Sequence, residues 1–88
     1  MPYIKKEQRA VVDAHIRKLA DAIKETGTEN RAGVLNYSVS CILKQLYGLR
    51  YSEVNEAVGA LECIKQEYYR RVASPYEDLK IKENGDVY

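Results

Sequence analysis

Apolar residues recur at helical spacing across the third quarter of the chain: Val54, Val58, Leu61, Ile64 or Lys65, Tyr68 and Val72. Steps of four and three residues return a side chain to one face of a helix with 3.6 residues per turn. Ser52 stands before the repeat as a good N-cap, and Glu53 and Glu56 suit the positive end of a helix dipole. Ser74-Pro75 marks an end, because the residue before a proline avoids the helical region. The spacing predicts a helix over 52–74. A second stripe on it runs Asn55, Gly59, Glu62, Gln66, Tyr69 and Arg70. Gly59 in mid-helix costs about 1 kcal/mol relative to alanine, and the expected compensation is close approach of another helix or of a ligand.

Two further helices precede this one. Val12, Ile16, Leu19 and Ile23 are spaced four, three, four, with Asp13, Arg17, Lys18, Asp21 and Lys24 between them as a solvated face. That pattern predicts a helix over 6–25, closed by Thr26-Gly27-Thr28 with Gly27 as a left-handed cap. Leu35, Val39, Ile42, Leu43 and Leu46 predict a second over 31–47, stopped at Gly48; Asn36, Tyr37, Ser40 and Lys44 lie off its stripe. Residues 76–88 carry few apolar side chains around the turn dipeptide Asn84-Gly85. They read as a short C-terminal arm that crosses another helix or a second subunit. The expected fold is all-α, a single three-helix domain over 1–88 with that arm. A core built from 88 residues is thin, and self-association buries more surface, so a homo-oligomer is expected.

Several functions are disfavoured by what the chain lacks. Fourteen basic residues against thirteen acidic ones argue against duplex nucleic acid as a partner. No apolar run approaches the ~20 residues of a membrane span, and Met1-Pro2-Tyr3-Ile4-Lys5-Lys6 has no secretory h-region. Cys41 and Cys63 are too few for a disulfide scaffold and fall within helical patterns, so a reduced, cytoplasmic setting is expected. His15, the one histidine, sits beside the first apolar stripe; neither cysteine has a histidine neighbour in sequence, and no zinc spacing occurs. Gly27, Gly33, Gly48, Gly59 and Gly85 are scattered and form no phosphate loop. Glu53/Glu56 and Glu83/Asp86 form E-x-x-E and E-x-x-D pairs, a pattern similar to the magnesium-binding motifs of MazG-like nucleotide pyrophosphohydrolases. Asn84-Gly85, however, breaks the helix that would aim the second pair. No catalytic residue, metal ligand or cofactor is assigned, and magnesium-dependent nucleotide hydrolysis stands as an alternative.

Recognition is the chemistry the composition favours. All eight aromatic residues are tyrosines, with no Phe and no Trp; each is an apolar plate with a polar rim. Tyr68-Tyr69 run directly into Arg70-Arg71, with Tyr76 close behind. A ring stacks on a base while a guanidinium forks onto a phosphate or carboxylate. The candidate ligand-binding residues are therefore Tyr68, Tyr69, Arg70, Arg71 and Tyr76, joined by Asn36 and Tyr37 early in the second helix. The competing reading is structural: Arg70 and Arg71 satisfy the helix C-terminus or pair with Glu77 and Asp78, and the tyrosines line a protein interface. Lys5, Lys6 and Arg9 form a second basic group and read as solvated.

Several stretches carry a resemblance: Leu35-Asn36-Tyr37, residues 51–55, Gly59-Ala60-Leu61-Glu62-Cys63, and Lys65-Gln66-Glu67-Tyr68-Tyr69-Arg70-Arg71. It continues through Pro75-Tyr76-Glu77-Asp78, Lys80, and the closing Glu83-Asn84-Gly85-Asp86-Val87-Tyr88, and the opening Met1-Pro2-Tyr3-Ile4 also fits. Together these resemble a family of small, largely uncharacterised proteins of bacteria and tailed phages. The 26–33 connection is longer and more polar than the family's. The likeness implies a phage or prophage protein acting in the cytoplasm of a bacterial host. By analogy with phage oligomers that sequester cyclic nucleotide signals of bacterial defence, it implies a non-catalytic sponge for a small anionic nucleotide. A module that inhibits a host enzyme is a further alternative.

Overall fold

The computed structural model describes residues 4–88. Met1, Pro2 and Tyr3 lie outside the described residues, and with them most of the N-terminal motif. The described chain is all-helical, with α1 at Lys6–Glu25, α2 at Arg31–Leu46, α3 at Tyr51–Tyr68 and α4 at Ser74–Asn84. A five-residue π turn, Tyr69–Ala73, joins α3 to α4 without a break. The helical bodies are therefore three, the third running over 51–84, and no strand occurs among the described residues.

The molecule divides into two units, Met1–Arg50 and Tyr51–Tyr88. In the first, α1 begins where the Lys5 backbone N–H donates to Gln8 Oε1 at 3.0 Å, returning one orphan donor of the first turn. It ends as predicted at Gly27, whose φ of +93° is open to glycine at little cost. The Thr26 hydroxyl donates to the Ile23 carbonyl at 2.6 Å, and the Asn30 amide donates back to the Thr26 carbonyl at 2.8 Å. These local bonds satisfy the polar 26–30 connection and fold α2 back so that it touches α1. Ile23 is the one buried side chain among the described residues, at 8% exposure. Val12, Ile16 and Leu19 occupy the predicted stripe of α1 yet stay exposed.

The second unit departs from expectation at Ser74-Pro75. This pair does not end the helix. Ser74 is helical, with φ −62° and ψ −48°, and α4 runs on to Asn84. Residues 76–84 are thus helix, and only 85–88 remain of the expected arm. Two physical reasons account for it. Proline is tolerated in the first turn of a helix segment, where its missing N–H is an orphan anyway. The π turn supplies such a start: its bonds reach five residues back, as when the Ser74 N–H meets the Tyr69 carbonyl, and the wider turn carries the Arg71 carbonyl away from the Pro75 ring. Gly85, with φ +87°, then closes α4 and donates its N–H to the Ile81 carbonyl at 2.8 Å. Asn84-Gly85 is a helix stop here, not a hairpin turn. Ser52 likewise lies within α3, which begins one residue earlier at Tyr51, a difference within ordinary end-fraying. Nothing lies within 4 Å of where a Cβ on Gly59 would sit, so the close approach expected there is not made within its own unit.

Candidate functional site

The π turn changes the phase of the helix. In a regular α-helix, residues eight apart stand roughly 80° out of line. One extra residue in the turn brings them back together. Tyr69 and Glu77 show the result: the Tyr69 hydroxyl donates to Glu77 Oε1 across the π turn. That bond, with the charge of Glu77 behind it, raises the Tyr69 pKa above the ordinary value of 10.0.

The sign of the linkage follows. A raised phenol pKa means the fold favours the neutral ring, so this contribution is whole below the unfolded value and is lost as pH climbs through the folded one. In Glu77→Gln the Tyr69 titration is expected to fall back toward 10.0 when its ring carbon signal is followed by NMR against pH. An unchanged titration would show that Glu77 does not hold the hydroxyl.

A groove of about 530 Å³ lies along the same stretch, lined by Glu62, Lys65, Gln66, Tyr69, Arg70 and Ser74. All six come from the second unit. Lys65 Nζ stands 3.1 Å from Glu62 Oε1, and Gln66 Nε2 donates to the same oxygen at 3.2 Å. The Gln66 bond first, then the Lys65 bond and charge, hold the Glu62 carboxyl below its usual range. Arg70 Nη2 lies 3.6 Å from Glu67 Oε2. The groove thus combines two cations, a carboxylate, an amide, a hydroxyl and a phenol ring. Its cations rest in exposed i,i+3 pairs, which are worth ~0.2–1 kcal/mol each.

Of the residues singled out from sequence, Tyr69 and Arg70 line this groove. Arg71 lies in the π turn, and Tyr68 closes α3 with its ring 66% exposed. Tyr76 is exposed on α4 beneath the Lys80 ammonium, which sits 5.5 Å from the ring centre. Asn36 and Tyr37 belong to α2, in the first unit. There the Ser40 hydroxyl donates to Asn36 Oδ1 at 3.4 Å, and a hydrogen bond with Cys41 raises the Tyr37 pKa. Glu62, Lys65, Gln66 and Ser74 were not among the candidates. The signal for two of them was present: Glu62 and Gln66 belong to the second stripe, together with Tyr69 and Arg70.

Of the two acidic pairs considered for magnesium, Glu83 and Asp86 each bond to a local partner instead. Glu83 accepts from Lys80 at 3.1 Å on α4. Asp86 lies beyond Gly85, and its Oδ1 accepts from the backbone N–H groups of Val87 and Tyr88 at 2.7 and 3.3 Å. Among the described residues, no group of three or more His, Cys, Asp or Glu side chains stands where it could hold a metal ion. No described helix is long and apolar enough to cross a membrane.

Fold and groove together define a small all-helical domain with a polar-aromatic recess on a π-interrupted helix. The chain belongs to the family described as a domain of unknown function, DUF6899, which matches residues 1–87. No curated protein and no solved structure matches it.

Proposed function

We propose that this chain is a non-catalytic ligand-binding protein that sequesters a nucleotide, with the cyclic nucleotide signals of bacterial defence as the leading class, and does so as a homo-oligomer. One observation carries the reading: the single interruption of the third helix falls on Tyr69–Ala73, the tyrosine-arginine segment marked out by composition, and a groove opens there. π turns inside α-helices concentrate at functional sites because they re-aim side chains at some cost in helix geometry. The tail motif, resembling that of phage proteins, supports a phage or prophage setting.

The energetics favour an anion over the resting ion pairs. Lys65 and Arg70 give up exposed carboxylate contacts worth ~0.2–1 kcal/mol. A charge-assisted bond to a phosphate returns ~1.5–3 kcal/mol. Tyr69 supplies the face for a base, at ~1–3 kcal/mol per stacked ring.

Calorimetric titration of the full chain with cyclic and linear nucleotides tests this. Binding is expected for at least one of them, and Arg70→Ala is expected to weaken it about 10- to 100-fold, the equivalent of one charged hydrogen bond. Binding that Arg70→Ala leaves untouched would move the site elsewhere, and no heat with any nucleotide would contradict the reading.

A further inference from the structure

The third helical body offers a face that its own unit cannot cover. A lone helix has no second layer, yet Val54, Val58, Leu61, Tyr68, Val72, Tyr76 and Leu79 are all exposed on it. The seam begins with steps of four and three: Val54, Val58, Leu61, Lys65, Tyr68, Val72. This is the repeat by which helices pack side by side in a coiled coil. Carried forward without a π turn, it would bring Pro75 onto the seam. The extra residue in the turn delivers Tyr76 instead, eight residues beyond Tyr68, with Lys80 following one turn later and Leu79 at the edge of the face. The stripe therefore continues through α4 with an aromatic ring in the place of an imino acid.

We infer that this face pairs with the same face of a second copy, running antiparallel about a two-fold axis between Lys65 and Tyr68. Charge sets the direction. A parallel pair in register would set the two Lys65 ammonium groups, each held by its own Glu62 at 3.1 Å, in one layer with no opposite charge or ring facing them. The antiparallel pair sets each Lys65 beside the Tyr68 ring of the other copy, a cation–π contact made twice. The next layers outward pair apolar groups: Leu61 meets Val72, and Val58 meets Tyr76. The π turn keeps these layers in step, since its shorter rise offsets its additional residue. The helix is roughly 50 Å long at 1.5 Å per residue and about 10 Å across. Two such faces amount to about 1,000 Å², the size at which a specific interface becomes stable. An interface of this kind is isologous, so it closes as a dimer and leaves no free end for further growth along the seam.

The pairing has a consequence for the groove. Glu62 and Tyr69 flank the seam on one side, and in an antiparallel pair that side faces its own counterpart. The two grooves then open side by side across the axis, and Lys65 belongs both to the seam and to the groove. The cleft so formed is two-fold symmetric, with Tyr69 and Arg70 entering it twice. This part rests on the proposed function; the pairing itself does not.

Engineered disulfides separate the outcomes. In a Cys41→Ser, Cys63→Ser background, Val58→Cys combined with Tyr76→Cys is expected to oxidise to a covalent dimer, while Val58→Cys alone is not. Sedimentation of the unaltered chain is expected to give twice the chain mass, and Leu61→Asp is expected to return it to one. Rapid dimer formation by Val58→Cys alone would mean parallel pairing and overturn the inference. A single-chain mass for the unaltered protein would also overturn it, the face then being covered by the chain's own first unit or by another partner. A dimer with these cross-links that takes up no nucleotide would leave the pairing standing and remove the proposed function alone.

Discussion

Pro75→Ala is expected to strengthen the third helix and abolish its groove. Proline in a helix interior is ~3 kcal/mol less favourable than alanine. The wider turn and the first-turn position already relieve part of that, so the gain is expected to stay below the full figure. With alanine at 75, a backbone N–H returns at that position and nothing collides with the Arg71 carbonyl. The π turn then has no reason to persist, and 69–73 relaxes to regular α-helix. Loss of the extra residue rotates α4 by about 100°, one residue's share of a turn. Glu77 swings away from Tyr69, and their hydrogen bond is lost. The expected signature is a pair of opposite changes: higher helical content and a higher unfolding temperature, with nucleotide binding reduced at least tenfold. A variant that gained stability and bound as well as the parent would detach the groove from the π turn.

Ile23→Ala is expected to have the largest effect on the first unit. Ile23 is the buried side chain there, and it sits in the last turn of α1 beside the bonds that fold α2 back. The Thr26 hydroxyl bonds to the Ile23 carbonyl itself. Truncating a buried isoleucine costs ~2–5 kcal/mol. The neighbouring stripe residues are exposed and free to settle into the gap, so the low end, about 2 kcal/mol, is expected. Ile16→Ala on the same stripe is 59% exposed and is expected to cost well under 1 kcal/mol in the isolated chain. Urea denaturation of both variants checks this: the midpoint should fall for Ile23→Ala and scarcely move for Ile16→Ala. A comparable fall for Ile16→Ala would mean that its face is covered in solution.

These residues also show how far the sequence reached. α1 and α2 are legible because their signals are local: apolar four-three spacing marks a helix face, and Gly27 takes a φ that a Cβ would disfavour. The end of α3 was not legible at Ser74-Pro75. A proline normally forbids continuation, and nothing in the composition announces that a π turn will absorb it. Tyr69 and Arg70 stand out as residue types, whereas Lys65 joins them by plain i,i+4 spacing along α3 and Ser74 follows Arg70 by four residues past the expected helix end. Gly59 is legible as an oddity, and its open surroundings show that the cost of a glycine there is not repaid within its own unit.

Phosphorus NMR of the full chain mixed with a cyclic dinucleotide tests the central claim most directly, because it reads binding and bond cleavage at once. The account predicts phosphate signals that shift and broaden with protein, recover their free positions with Arg70→Ala, and show the same phosphodiester after prolonged incubation. Signals that ignore the protein, or that give way to those of a cleaved product, would contradict it.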